Sequence, residues 1–270
     1  IRLGPESSRV DWVIAQDNST IAWTLTGTDP QGRLQTRTTV ANLDGTQARP
    51  VLTDVDTSGS RLRALPISLV SNANSLYMDN HPDGISAFTA FDQYVGVFEL
   101  DLTTGQTTLL PGEAGNSCIC GADIRDTLFV RLRLRLTADS SGFEVHIYDL
   151  SNDTETVLPP VELEDFNTAG DVLIAPDGSL ALYALARVEE FNTPQQFTET
   201  VFVLVDLVNM TQVRLTPNPI TTYVRPVSWT EDNSAIIFTS PDETGTWKIN
   251  TTDGRLERIA DATYLGIMRP

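Results

Sequence analysis

Apolar and polar positions alternate along much of this chain with a period of two. The stretches "IAWTLT" (21–26), "FVRLRLRL" (129–136) and "FEVHIYDL" (143–150) show it most clearly. Period two is the signature of a β-strand, whose side chains point to opposite faces in turn. No segment keeps apolar residues at i, i+3, i+4 and i+7 over three turns, so helices are not expected. Short apolar runs bounded by Asp, Asn and Gly therefore predict an all-β chain of many short strands.

The turns repeat. Four places read as a tight turn followed by a strand: "AQDNSTIAWTLT" (15–26), "HPDGISAFTAF" (81–91), "APDGSLALYALA" (175–186) and "TEDNSAIIFTSP" (230–241). Each has Asp followed by Gly or Asn, residues that tolerate positive φ. "ADIRDTLFVRLRL" (122–134) is a weaker fifth copy, with Asp126-Thr127 at the turn. The turn aspartates 17, 83, 126, 177 and 232 are 66, 43, 51 and 55 residues apart. A strand–turn–strand element follows each copy: 40–52, 99–110, 147–158, 204–215 and 249–259. Five units of about four strands each predict a β-propeller, with blades near 10–54, 64–112, 117–160, 166–217 and 223–260.

The last unit carries a family resemblance. "WTEDNSAIIFTSPDETGTWKINTTDGRLERI" (229–259) resembles the repeat of TolB-like, WD-repeat-like β-propellers. The matching residues are structural. The resemblance implies a fold and protein partners in the cell envelope, and it carries over no catalytic residue. "IRLGP" (1–5) is similar to "VRLTP" (213–217), and "ATYLGIMRP" (262–270) sits where a sixth inner strand would begin. The termini are thus expected to close the ring or to start a partial sixth blade. The abrupt start reads as a portion trimmed from a longer precursor. Residues 53–75 and 187–200 read as long insertions, where binding often resides.

Composition narrows the partners. The formal net charge is -18, and of 18 basic residues only Lys248 is a lysine. Such a chain does not suit nucleic acid, because phosphate binding needs positive surface. No apolar run approaches the ~20 residues of a membrane-spanning helix, so no membrane insertion is expected. Low cysteine use with many Thr, Asn and Asp suits an extracellular or envelope protein.

The chemistry motifs are sparse. G-x-S-x-G, P-loop, G-x-G-x-x-G and H-E-x-x-H patterns are absent from the sequence, and its two histidines fall in different units. A glycan-active propeller would use carboxylates at the channel mouth, and their separation is not readable from sequence. "DVDTSG" (54–59) has calcium-loop spacing, with Asp54, Asp56, Ser58 and the Ser60 carbonyl as ligands. Leu62 and Leu65 stand where closing acidic ligands belong, so a plain polar loop is the simpler reading, and calcium is the one cofactor the motifs suggest. Cys118 and Cys120 lie close enough in sequence for a C-x-C disulfide. N-x-S/T sequons at Asn18, Asn152, Asn209 and Asn250 fall at or near predicted turns. Lastly, Arg131, Arg133 and Arg135 form a stripe on one strand. Pairing Leu136 with Phe143 sets Arg135 opposite Glu144, Arg133 opposite His146 and Arg131 opposite Tyr148. That face is expected to be an inter-blade ion-pair layer, a solvent-facing gap or a docking surface for an acidic partner. The reading as a whole is a non-catalytic extracytoplasmic interaction scaffold. A glycan-active enzyme, or an accessory propeller of a larger peptidase or receptor, is the alternative.

Overall fold

A computed structural model describes residues 7–70, 74–83, 91–115, 118–137, 141–191 and 193–264. Among the described residues, twenty strands form five four-stranded antiparallel sheets, and each sheet is one sequential meander. The first sheet holds β1 (Ser7–Ile14), β2 (Thr20–Thr28), β3 (Leu34–Asn42) and β4 (Arg49–Val55). The second holds β5 (Leu62–Val70), β6 (Ser75–Pro82), β7 (Val97–Asp101) and β8 (Thr107–Leu109). The third holds β9 (Ala122–Arg125), β10 (Leu128–Leu136), β11 (Ser141–Asp149) and β12 (Thr154–Leu158). The fourth holds β13 (Thr168–Ile174), β14 (Leu180–Glu189), β15 (Phe197–Asp206) and β16 (Thr211–Arg214). The fifth holds β17 (Arg225–Trp229), β18 (Ala235–Thr239), β19 (Thr246–Asn250) and β20 (Leu256–Ala260). No helix among the described residues is long and apolar enough to cross a membrane.

Local turn chemistry makes these meanders. Asp17 Oδ1 accepts the Ser19 N–H at 2.9 Å and its hydroxyl at 2.7 Å. Asp177 does the same for Ser179, and Asp232 for Ser234. The residue between takes the left-handed conformation: Asn18 at φ 56, Gly178 at φ 72 and Asn233 at φ 57. Asn and Gly adopt it at least cost. The second hairpins repeat the device. Asp44, Asp101, Asp149 and Asp206 each accept N–H groups from two or three residues on. Hydrogen bonds from those turn residues hold the four carboxyls below the usual carboxylate range. Much of the acidity of this chain is therefore turn chemistry.

The second sheet departs from the expected grammar. Its first hairpin turns just before β6, with Asn74 at φ 51. "HPDG" ends β6 instead of opening it, and residues 84–90 of the expected strand lie outside the described residues. Residues 53–75 are no insertion, because they contain the end of β4 and all of β5. The 187–200 segment is mostly ladder too, with Glu189 paired to Phe197. Residues 1–5 and 265–270, on which ring closure or a sixth blade rested, also lie outside the described residues.

The chain forms two compact units. In the first, Ala22, Val40, Leu69, Leu76, Met78 and Phe98 build an apolar layer between sheets one and two. Buried Thr24 and Thr38 face each other across β2 and β3, and their hydroxyls pair at 2.7 Å. In the second unit, Leu182, Ala184, Phe202, Trp229, Ile236 and Phe238 form the layer between sheets four and five. Phe202 and Phe238 meet edge to face at 5.4 Å.

Candidate functional site

The most strongly perturbed carboxylate lies on β13. The β13–β14 register shifts between Gly170 and Leu173, and Asp171 within that bulge has φ 50. A bulge re-aims a side chain, and a non-glycine residue at positive φ stores strain. Gly170 permits the arrangement by lacking a Cβ. A Cβ there would stand 2.5 Å from Phe91 Cβ and 2.8 Å from the Asp92 carbonyl oxygen. The segment Phe91–Gln93 thus packs directly on β13. The Asp92 N–H donates to Asp171 Oδ1 at 2.6 Å, the Asp171 N–H returns to the Asp92 carbonyl at 3.1 Å, and Gln93 Nε2 donates to the Ala169 carbonyl at 2.8 Å.

Arg225, at the start of β17, closes the cluster. Its Nε donates to Asp171 Oδ2 at 2.9 Å and its Nη2 to Oδ1 at 2.6 Å, while Nη2 also lies 2.8 Å from Asp92 Oδ2. The Asp171 side chain is 2% exposed and that of Asp92 69%. Burial pushes the Asp171 carboxyl up to about 6, against the hydrogen bonds and charge of Arg225. Burial pulls the Arg225 guanidinium down, but its pairing with Asp171 outweighs this and holds it above its ordinary value. At neutral pH both groups are charged, with both Asp171 oxygens occupied. The pair clamps the 91–93 segment to sheets four and five. Gly170→Ala should therefore cost about 1–3 kcal/mol, since the new methyl meets backbone that cannot swing away. Denaturant unfolding checks this.

Other buried or half-buried carboxylates do similar work. Asp79 accepts the N–H groups of Val95 at 3.0 Å and Gly96 at 2.7 Å, with His81 Nδ1 3.0 Å from its other oxygen. Glu113 accepts the Val97 N–H at 2.9 Å, and Asp123 the Ile174 N–H at 2.7 Å. Buried Arg63 pairs with Asp11. Charged groups inside a protein need such partners.

The arginine stripe keeps its expected face but not its expected register. Arg131 pairs with His146, Arg133 with Glu144 and Arg135 with Gly142, while Tyr148 lies opposite Phe129. Ser141 and Gly142, expected in the loop, join β11. The slip is two residues, so every side chain stays on its predicted face. The three arginines differ in environment. Arg131 is fully buried and donates to the Cys120 carbonyl. The Arg133 guanidinium stands 6.0 Å from the centre of the Tyr148 ring. Exposed Arg135 pairs with Glu144 at 3.2 Å. His146 lies between Glu155 at 2.6 Å and Glu144 at 3.4 Å. Hydrogen bonds from His146 and Tyr148 hold the Glu155 carboxyl below its usual range.

The calcium-loop residues make hydrogen bonds within their own loop and strand. Asp54 stands on β4 opposite Thr36. Asp56 turns inward on its own loop, accepting the N–H groups of Ser58, Gly59 and Arg61 and the Ser58 hydroxyl. Ser60 meets Ser58 hydroxyl to hydroxyl at 2.7 Å. Among the described residues, no group of three or more His, Cys, Asp or Glu is placed to hold a metal. The Ser58 hydroxyl and these N–H groups lower the Asp56 carboxyl to about 2. A lowered pKa adds stability above the ordinary value near 4, and that stability is lost as pH falls through about 2. Asp56→Asn should therefore lower the melting temperature at pH 7, and the difference from wild type should shrink towards pH 2, as calorimetry can show.

Cys118 and Cys120 are disulfide-bonded. Asn18, Asn152 and Asn209 are exposed at turns, and Asn250 is half-buried at the end of β19. The Asn152 and Asn209 amides donate to Asp149 and Asp206, and Asn250 Oδ1 accepts the Thr252 N–H.

No protein-family model matches the sequence, and no curated protein is similar to it. Solved structures are similar in fold. The propeller domain of the trilobed protease from Pyrococcus furiosus aligns with a TM-score of 0.54 at 10% identity, over 94% of this chain and 71% of that one. The fold is a β-propeller. TolB from Acinetobacter baumannii aligns with this propeller at a TM-score of 0.51 and 14% identity, over 92% of this chain. The propeller spans about half of the TolB chain, 53% of its length. The Niastella koreensis GH74 enzyme aligns at 0.56 and 14% identity, over 93% of this chain and 38% of that one. These likenesses concern the fold alone. The Asp171–Arg225–Asp92 cluster of this propeller carried one local sequence signal, a glycine inside the strand "TAGDVLI", which marks a bulge.

Proposed function

We propose that this propeller is a non-catalytic protein-interaction or assembly scaffold working outside the cytoplasm. One observation carries the reading. Asp92 and Asp171 are two carboxylates brought together with one raised pKa, and they are closed around Arg225. A general acid must reach its substrate to give up a proton. Asp171 has both oxygens engaged and its side chain is 2% exposed, so its chemistry is that of a clamp. Asp79, Glu113 and Asp123 hold backbone N–H groups in the same way. The disulfide supports an oxidising compartment. The fold shared with TolB agrees with a scaffold, although the same architecture also serves enzymes.

The test is an assay of reducing ends released from a panel of polysaccharides by the wild type and by Asp92→Asn. The scaffold reading predicts no release above buffer from either protein. Release by the wild type that Asp92→Asn abolishes would establish the glycan-active alternative instead.

A further inference from the structure

The third sheet has an edge without a ladder partner beside a groove, and Pro160 packs against Gly142 at its near end. β11 starts at Ser141, yet β12 pairs with it only from Val145 to Asp149. Pro159 and Pro160 follow directly after Leu158, the last residue of β12. Proline has no N–H to give a ladder, so pairing stops there. The edge of β11 from Ser141 to Glu144 is left without a strand partner on that side among the described residues. The chain then continues as "PVELED" (160–165), which belongs to no strand. None of residues 161–164 makes a backbone–backbone hydrogen bond among the described residues. Between this segment and the β10–β11 hairpin lies a groove of about 950 Å³, within the size range of ligand sites.

The lining has a clear character. Pro160, Val161 and Leu163 give it an apolar side, and Glu162, Glu164 and Asp165 give it three acids. The one basic group in the lining is Arg135, which already pairs with Glu144 at 3.2 Å. The chain as a whole carries -18 and draws cations towards it. A metal ion does not fit, since no three ligating side chains gather here. A simple polyamine could meet the acids but has no carbonyl for the unpaired N–H groups. An extended peptide supplies both donors and acceptors and can add to a strand edge.

We infer that this groove binds an extended cationic segment of another protein, which adds to the free edge of β11 and sets lysine or arginine side chains against Glu162, Glu164 and Asp165. The inference rests on the scaffold reading and names the surface and the chemistry of its partner. Alternate residues of the segment would reach opposite sides, apolar ones onto Val161 and Leu163.

The test uses a fluorescein-labelled peptide of alternating lysine and valine, with a glutamate–valine peptide as control. Anisotropy should show binding of the cationic peptide only, weakening as salt rises. A variant carrying Glu162→Gln, Glu164→Gln and Asp165→Asn should bind roughly tenfold more weakly. All three side chains are exposed, so its unfolding midpoint should match that of the wild type. Hydrogen exchange should show peptide-induced protection at residues 141–144 and 161–164. Equal binding to wild type and variant, or protection confined to other strands, would overturn the inference. That failure would leave the scaffold reading standing on another surface, whereas glycan release would remove the scaffold reading whatever the peptide does.

Discussion

Asp171→Ala should destabilise the protein by roughly 3 kcal/mol, because it removes the buried partner of Arg225 and leaves only the exposed Asp92 carboxylate beside it. The native pair is bidentate, at 2.6 and 2.9 Å, and Asp171 also holds the Asp92 N–H. Removing the carboxylate strands the Arg225 Nε and the Asp92 N–H, while Nη2 keeps Asp92, and denaturant unfolding would measure the loss. Asp171→Asn separates charge from shape. Asparagine retains an acceptor for Arg225 and tolerates the φ of 50 better than most residues. It should cost less than alanine and should also change the pH dependence. Burial raises the Asp171 carboxyl to about 6 in the folded chain. The matching stability is present in full below the unfolded value near 4 and lost as pH rises through about 6. The wild type should show that step and the asparagine variant should not. The turn aspartates have the opposite sign, since their lowered values withdraw stability in acid.

Phe202→Ala should cost about 3–5 kcal/mol by emptying the layer between sheets four and five. Phe202 is wholly buried and packs edge to face on Phe238. Both neighbouring sheets are held by their own ladders, so the hole cannot collapse fully. Phe202→Leu should cost clearly less, because it keeps most of the volume. Similar losses for the two variants would mean that ring contacts, not the cavity, set the cost.

The legible parts of this fold are the local ones. Asp17-Asn18-Ser19, Asp177-Gly178-Ser179 and Asp232-Asn233-Ser234 could be read because each turn is closed by its own side chain. The first hairpin of sheet two was misplaced because it turns at Asn74 without an aspartate, while "HPDG" carries the familiar letters at the end of β6. The arginine stripe kept its face because alternation fixes parity. It missed its register because parity does not fix loop length. The Asp171 cluster was out of reach of sequence alone. Its partners lie 54 and 79 residues away, and only the folded sheets bring them together.

The scaffold reading also changes the meaning of the acidic composition. Exposed aspartates close the hairpins, and buried carboxylates fasten backbone N–H groups. Many of the acids are therefore committed to architecture. Glu162, Glu164 and Asp165 are exposed and stand apart from that pattern. The partner is expected at such exposed charge.

The most direct measurement is chemical cross-linking of the protein at native abundance in the cells that produce it, read by mass spectrometry. The account predicts reproducible cross-links to one or a few partner proteins, clustered on one surface of the propeller and diminished by excess unlabelled protein. Cross-links confined to the chain itself, with no partner attached at any site, would contradict it.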